Sequence, residues 1–294
     1  MLPGGRALIR RSAPGRRFRA GPVFVSEGVC KMRPIMEDDM KIALLGLAIV
    51  LTAAGAPRGA AAAEIKVLTA GAFKQVLVAL VPDFEKQTGH KVIVENETVG
   101  ALTKRIEGGE SFDVAVLTPR AVDDLAGKGK FVAGSRANLA RVGVGVMVKA
   151  GAPAPDISTV EAFKRALIAA KSVAYIDPAS GGSSGIYISG LLDKLGIADQ
   201  VKPKAKLKQG GYVADLIVKG DAELGIHQIS EIVPVKEVTL VGPLPAEIQN
   251  YTVYAAGLGA NAKDGEAAKA LIKALTGPAA ADVLKSKGME GAGS

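Results

Sequence analysis

The stretch Val173–Gly190, VAYIDPASGGSSGIYISG, carries the residue types best suited to holding an anion. A short apolar run, Val173–Ile176, meets an Asp177-Pro178 turn, then the Gly and Ser residues of Ser180–Gly185, then a helical pattern. The first N–H groups of a helix lack internal partners and carry partial positive charge. Small residues let an anion approach that backbone closely. Ser180, Ser183, Ser184 and Gly185 are therefore candidate ligand contacts, joined by Gly211 and Tyr212 after the pair Gly210-Gly211. A second group, His227-Gln228-Ile229-Ser230-Glu231, follows the apolar run Leu224–Ile226, so His227 and Gln228 sit at a strand's carboxyl end. His227 is a candidate hydrogen-bond donor or proton carrier; Glu231 joins it or begins the next turn. Arg120, just after Thr118-Pro119, suits a bidentate carboxylate contact. Lys74, Lys104 and Arg105 are further cations, placed by their spacing on solvated helix faces, and His90 is expected at the surface after a helix end.

These residues need elements to position them, and the chain from Glu64 on alternates strand and helix. Ile65–Thr69, Lys91–Glu95, Val114–Leu117, Val142–Lys149, Val173–Ile176, Leu224–His227, Thr239–Val241 and Thr252–Ala256 read as strands, with a short one near Lys206. Between them, Ala72–Thr88 places Phe73, Val76, Leu77, Leu80, Val81 and Phe84 on one face, with Gly89 as its C-cap. Gly100–Glu107, Ala121–Lys128, Glu161–Ala170, Gly185–Leu195, Val213–Lys219, Glu266–Leu275 and a segment from Pro278 to Lys287 are the other helices. This rhythm predicts an α/β fold of mostly parallel sheets with helices on both faces. Ligands in such folds bind at strand carboxyl ends, here Thr69–Ala72, Thr118–Arg120 and Ile176–Pro178.

Residues 1–39 carry seven Arg without apolar periodicity, and Met40-Lys41 opens the apolar run Ile42–Ala56. That run is short for a membrane span, and Ala61-Ala62-Ala63 before Glu64 completes a secretory signal pattern. We expect 40–63 to be a signal peptide cleaved near Ala63, and 1–39 to be a non-native extension upstream of a true start at Met40. The full chain has 294 residues and a net charge of +8. The first 63 residues hold 10 Lys+Arg and 4 Asp+Glu, so the remainder has 27 and 25 and a net charge of +2. The basicity is thus mostly presequence; with no Trp and no basic–aromatic alternation, nucleic acid is not an expected partner. The lone Cys30 lies in the expected presequence, which leaves neither disulfides nor cysteine catalysis. No metal site or cofactor is indicated, and a P-loop is absent.

Laid end to end, several segments resemble one family. They are IKVLTAGAFKQVLVALVPDFEKQTGHKV, LTKRIEGGESFDVAVLTPRAVDDLAGKG, YIDPASGGSSGIYISGLLDKLGI, VADLIVKGDAELGIHQ and EAAKALIKALTGPAAADVLKSKG. In order and spacing over Glu64–Met289 they resemble type II periplasmic solute-binding proteins, most closely the molybdate-binding family. The resemblance implies two lobes, 64–144 plus 255–294 and 145–254, joined by two crossing strands around a ligand cleft. It implies a monomer in the periplasm that delivers a small anion to a membrane permease and ATPase. The family's oxyanion-binding serines align with Gly71 and Ala72 and with Thr98 and Val99, and its tyrosine with Gln228, so these positions enter the site without the hydroxyls. Each hydrogen bond lost to a charged oxygen costs about 1.5–3 kcal/mol, which favours a larger organic carboxylate over a compact oxyanion. The same fold includes aconitate isomerase, which moves a proton across an allylic tricarboxylate. On that alternative the Gly/Ser loop and Arg120 clamp carboxylates, and His227, Glu231 or Tyr212 carries the proton.

Overall fold

The computed structural model describes residues 62–292, so the readings for residues 1–61 lie outside the described residues. The chain opens with three β–α units. Strand β1 (Glu64–Ala70) leads into helix α1 (Gly71–Thr88), β2 (Lys91–Glu97) into α2 (Val99–Glu107), and β3 (Val114–Leu117) into α3 (Pro119–Gly127). β1 runs parallel to both β2 and β3. Adjacent β1 residues serve opposite faces: Val67 joins a core with Phe73, Val76 and Leu77 of α1, while Leu68 joins Leu102 and Ile106 of α2 and Leu125 of α3. A strand buried on both faces needs helices on both sides, and the fully apolar β3 obeys the same rule.

The long strand β4 (Ala137–Lys149) then crosses the molecule. Beyond it come α4 (Val160–Ala169), β5 (Val173–Ile176), α5 (Ser183–Lys194), the short α6 (Ala198–Val201), β6 (Ala205–Lys208) and α7 (Ala214–Lys219). They are followed by β7 (Leu224–Gln228), one-turn α8 (Ile229–Ile232), β8 (Val238–Pro243), β9 (Tyr251–Leu258), α9 (Gly265–Thr276), α10 (Pro278–Ser286) and β10 (Glu290–Gly291). β5 is parallel to β6 and β7. The sheet order β2-β1-β3-β9-β4-β7-β5-β6 places the antiparallel pairs of β9 and β4 in the middle, with parallel strands on either side. Residues 137–143 of β4 pair with β9, and residues 144–149 with β7 and β8. Val173 and Tyr175 of β5 join one core with Phe163 and Ile188, whereas Ala174 and Ile176 join another with Val213 and Ile217. The expected α/β class with helices on both faces is what the chain adopts, on a curled mixed sheet in which β4 and β9 add antiparallel pairs to the expected parallel ones.

Most boundaries follow local chemistry. Gly89 caps α1 in the left-handed region at φ 75°. Thr98, Thr118 and Thr159 each cap a helix through the side-chain oxygen, which starts α2 one residue and α3 two residues before the sequence reading. β4 starts five residues earlier than expected because its partners β9 and β10 come from more than a hundred residues away. Buried rather than superficial, His90 accepts the Ala63 N–H on Nδ1 at 3.1 Å.

Candidate functional site

Three helices turn their N-termini toward one cavity: α1 through Gly71 and Ala72, α2 through Thr98 and Val99, and α5 through Ser183 and Ser184. Each follows a strand carboxyl end, so the backbone N–H groups without helical partners and the positive ends of three dipoles converge. The cavity wall also includes Asn96 and Glu97 after β2, Ile176 of β5, Gly182, Gly211, His227 and Gln228 of β7, Glu231 of α8 and Tyr254 of β9. No Lys or Arg lines it. The water-accessible space within it is about 30 Å³, room for roughly two waters.

His227 and Glu231 form the chemical centre of that wall. One helical turn apart in sequence, they face each other with Nε2 and Oε2 at 3.3 Å. Both are buried, and burial drives their proton affinities in opposite directions. Burial, helped by Lys208, pushes the His227 imidazole well below its ordinary range. Burial pushes the Glu231 carboxyl up to about 8, against a smaller opposing pull from Lys74. At neutral pH this is a neutral pair rather than an ion pair. At that separation the two groups are within reach of one shared proton, which either the Glu231 carboxyl or His227 Nε2 can carry. His227 Nδ1 and Gln228 Oε1, on two residues of the cavity wall, are buried without a protein partner, an uncommon state for buried polar atoms.

Neighbouring groups hold this arrangement. Gln228 Nε2 donates to Thr252 Oγ1 at 2.9 Å and to Ser183 Oγ at 3.4 Å. Ser183 Oγ also lies 3.3 Å from Tyr254 OH, whose proton affinity burial raises. Gln75 Nε2 of α1 donates to Tyr212 OH in a short hydrogen bond. The Ser230 hydroxyl donates to the Ala72 carbonyl at 2.8 Å. Thr98 Oγ1 donates to the Ser180 carbonyl at 2.5 Å, and Gly100 N–H to the Gly181 carbonyl at 3.1 Å.

A family model described as bacterial extracellular solute-binding protein matches residues 65–290. The chain belongs to this family. An aconitate isomerase from Pseudomonas sp is 31% identical over 232 residues, covering 77% of this chain and 87% of the relative. The molybdate-binding protein ModA of Azotobacter vinelandii is 30% identical over 258 residues, covering 85% and 98%. The solved structure of the Azotobacter vinelandii periplasmic molybdate-binding protein superposes with a TM-score of 0.66 at 22% identity, covering 76% of this chain and 98% of that one.

In this solute-binding protein the fold unites Gly71, Ala72, Thr98, Val99, Ser183, Ser184, Gly211, His227, Gln228 and Glu231 around one cavity. Tyr212 stands beside it, bonded to Gln75. Other residues expected there are placed elsewhere. The Arg120 side chain is 92% exposed and lies 3.6 Å from Asp124, because Val122 and Leu125 take the buried face of α3. Thr118 is committed to the α3 cap. The Ser180 hydroxyl donates to the Asp177 carbonyl inside its own turn. Gly185 lets α5 lie against β5: a Cβ there would stand 2.1 Å from the Ile176 carbonyl oxygen. Arg105 is engaged by Glu95 and Glu110. Asn96, Glu97 and Tyr254 escaped the sequence reading. The strand-end rule could have found the first two, whereas Tyr254 reaches the cavity only through the pairing of β9. Gly181–Gly185 also has the G-x-S-x-G spacing of a hydrolase elbow, which the sequence reading overlooked; the Ser183 hydroxyl meets Tyr254 and Gln228 rather than a histidine.

Proposed function

We propose that this protein holds a small anion where the N-termini of α1, α2 and α5 converge. That convergence is the observation on which the reading rests: it supplies backbone donors and positive potential without a cationic side chain. In this reading the protein is the exported, periplasmic receptor of an ABC-type transport system. Its lobes, 64–144 plus 255–294 and 145–254, close on the ligand and present it to a permease and ATPase. Replacing Ser183 and Ser184 together by Ala should lower anion affinity at least tenfold and leave the fold intact. Isothermal titration with molybdate, sulfate and trans-aconitate checks this. An unchanged dissociation constant for whichever anion binds would place the site elsewhere.

The neutral His227–Glu231 pair supports a second reading, isomerisation of an unsaturated tricarboxylate such as aconitate. A base removes a proton from the methylene carbon, the double bond shifts by one position, and an acid returns a proton at the far carbon. The step consumes no co-reactant. His227 Nδ1, buried without a partner, serves as base and the protonated Glu231 as acid. Incubation with trans-aconitate should then yield the cis isomer, with turnover falling at least a hundredfold in Glu231→Gln. Absence of turnover in the wild-type protein would leave binding alone.

A further inference from the structure

We propose that Glu231 is itself an anion-binding residue, donating a hydrogen bond to the ligand as the neutral acid, and that Gly71 exists to give its carboxyl group room. The inference rests on the anion-binding reading and adds to it a donor that must carry a proton. A Cβ built on Gly71 would stand 2.7 Å from Glu231 Oε1. The carboxyl group therefore fills the space where any side chain at the start of α1 would lie, beside the first N–H groups of that helix. It is 7% exposed, lines the cavity, and has its other oxygen 3.3 Å from His227 Nε2.

A carboxylate in this position would repel the anion that the three helix ends attract. The charged and titratable groups around it do not neutralise it. His227 faces it from β7, Tyr212 from the turn before α7, Tyr254 from β9 and Lys74 from α1. Glu97 lies on the same cavity wall after β2, and Lys208 acts on His227. Among the described residues Lys74 is the cation acting on Glu231 itself, and it is outside the cavity lining. Protonation removes the conflict. The acid then offers O–H to the ligand, as a backbone N–H does, and a bound anion makes loss of that proton harder still.

Anion binding should consequently take up a proton at alkaline pH. The test is isothermal titration of the wild-type protein with sulfate, molybdate and trans-aconitate, in buffers of different ionisation enthalpy. We expect proton uptake close to zero at about pH 6.5 and approaching one per anion at about pH 9, with affinity falling about tenfold per pH unit above the carboxyl's own value. Glu231→Gln keeps an N–H donor of similar shape. Whatever its affinity, its binding should show no proton uptake at either pH and no fall in affinity between them. Binding without uptake at about pH 9 would overturn the proposal, as would uptake that persists in Glu231→Gln. If none of the three anions binds, the anion reading falls and the proposal with it. Uptake is read on the unmodified protein, so the result does not depend on the variant folding.

Discussion

At the scale of single residues, the His227–Glu231 pair couples stability to pH. Below the ordinary carboxyl value of 4.5, folded and unfolded chains both hold the Glu231 proton. Between 4.5 and about 8 only the folded chain holds it, so its contribution is lost progressively as pH rises through that window. The imidazole runs the other way. From about 3 to its ordinary 6.5 the unfolded chain binds the extra proton, so stability rises with pH. The two effects oppose each other between 4.5 and 6.5, and above that Glu231 alone acts. Glu231→Gln should remove the alkaline limb: relative to wild type, its thermal midpoint should climb between about pH 6.5 and 8.5. A difference of about 1–2 kcal/mol corresponds to roughly 2–8 °C in a domain of this size. Parallel melting curves across that range would mean that the carboxyl is ionised in the fold.

At the scale of elements, the Gly/Ser loop has a division of labour. Its serines at the start of α5 face the cavity, while its glycines make close contacts. Gly181 adopts φ 75°, and a Cβ on it would stand 2.6 Å from Gly100 Cα. A Cβ on Gly100 would meet Gly181 Cα at 2.7 Å. The two backbones therefore touch, and the hydrogen bonds from Thr98 and Gly100 fasten the loop to the start of α2. Gly181→Ala combines the left-handed penalty of about 1–2 kcal/mol with that clash. It should loosen the fastening and weaken anion binding severalfold, whereas Gly190→Ala within α5 meets open space and should leave affinity unchanged. Equal affinities for the two variants would show that the fastening has no part in binding. Gly185→Ala acts on the fold instead: displacing α5 from the Ile176 carbonyl costs about 1–3 kcal/mol, visible as a lower melting temperature.

At the scale of the molecule, the site sits where the two ends of the sheet face each other across β4 and β9. Cavity residues come from β1–α1 and β2–α2 at one end and from β5–α5 and β7–α8 at the other. Beside the apolar packing of Ile229 of α8 against the core around α1, polar ties join the ends: Thr98 to Ser180, Gly100 to Gly181, Gln75 to Tyr212 and Ser230 to Ala72. Such bonds open and re-form at little cost when the groups they expose can meet water. In the proposed reading an anion seated at the three helix ends bridges these ties. Hydrogen exchange at the Gly100 amide should therefore slow by at least tenfold on saturation with a bound anion. Unaltered exchange there would mean that the ligand lies away from the three helix ends.

Much of the fold was legible in the sequence because strand and helix periods are local. The short apolar runs of β1, β3 and β5, the spacing of Phe73, Val76, Leu77 and Phe84, and the cap at Gly89 follow from burial patterns within a few residues. The strand-end rule likewise led to Gly71, Ser183 and His227. Arg120 was misplaced because its suitability for carboxylates was weighed without the helical period that turns it to solvent. Chain order by itself determined an alternating α/β fold with glycines and serines at the mouths of its helices. What only the tertiary structure decided is the state of Glu231. Its sequence neighbours allowed an exposed turn, but α1, β7, β9 and the turn before α7 enclose it and strip it of water. Desolvation depends on everything packed around a group, and those contacts come from residues up to about 160 positions apart, beyond the reach of any local pattern.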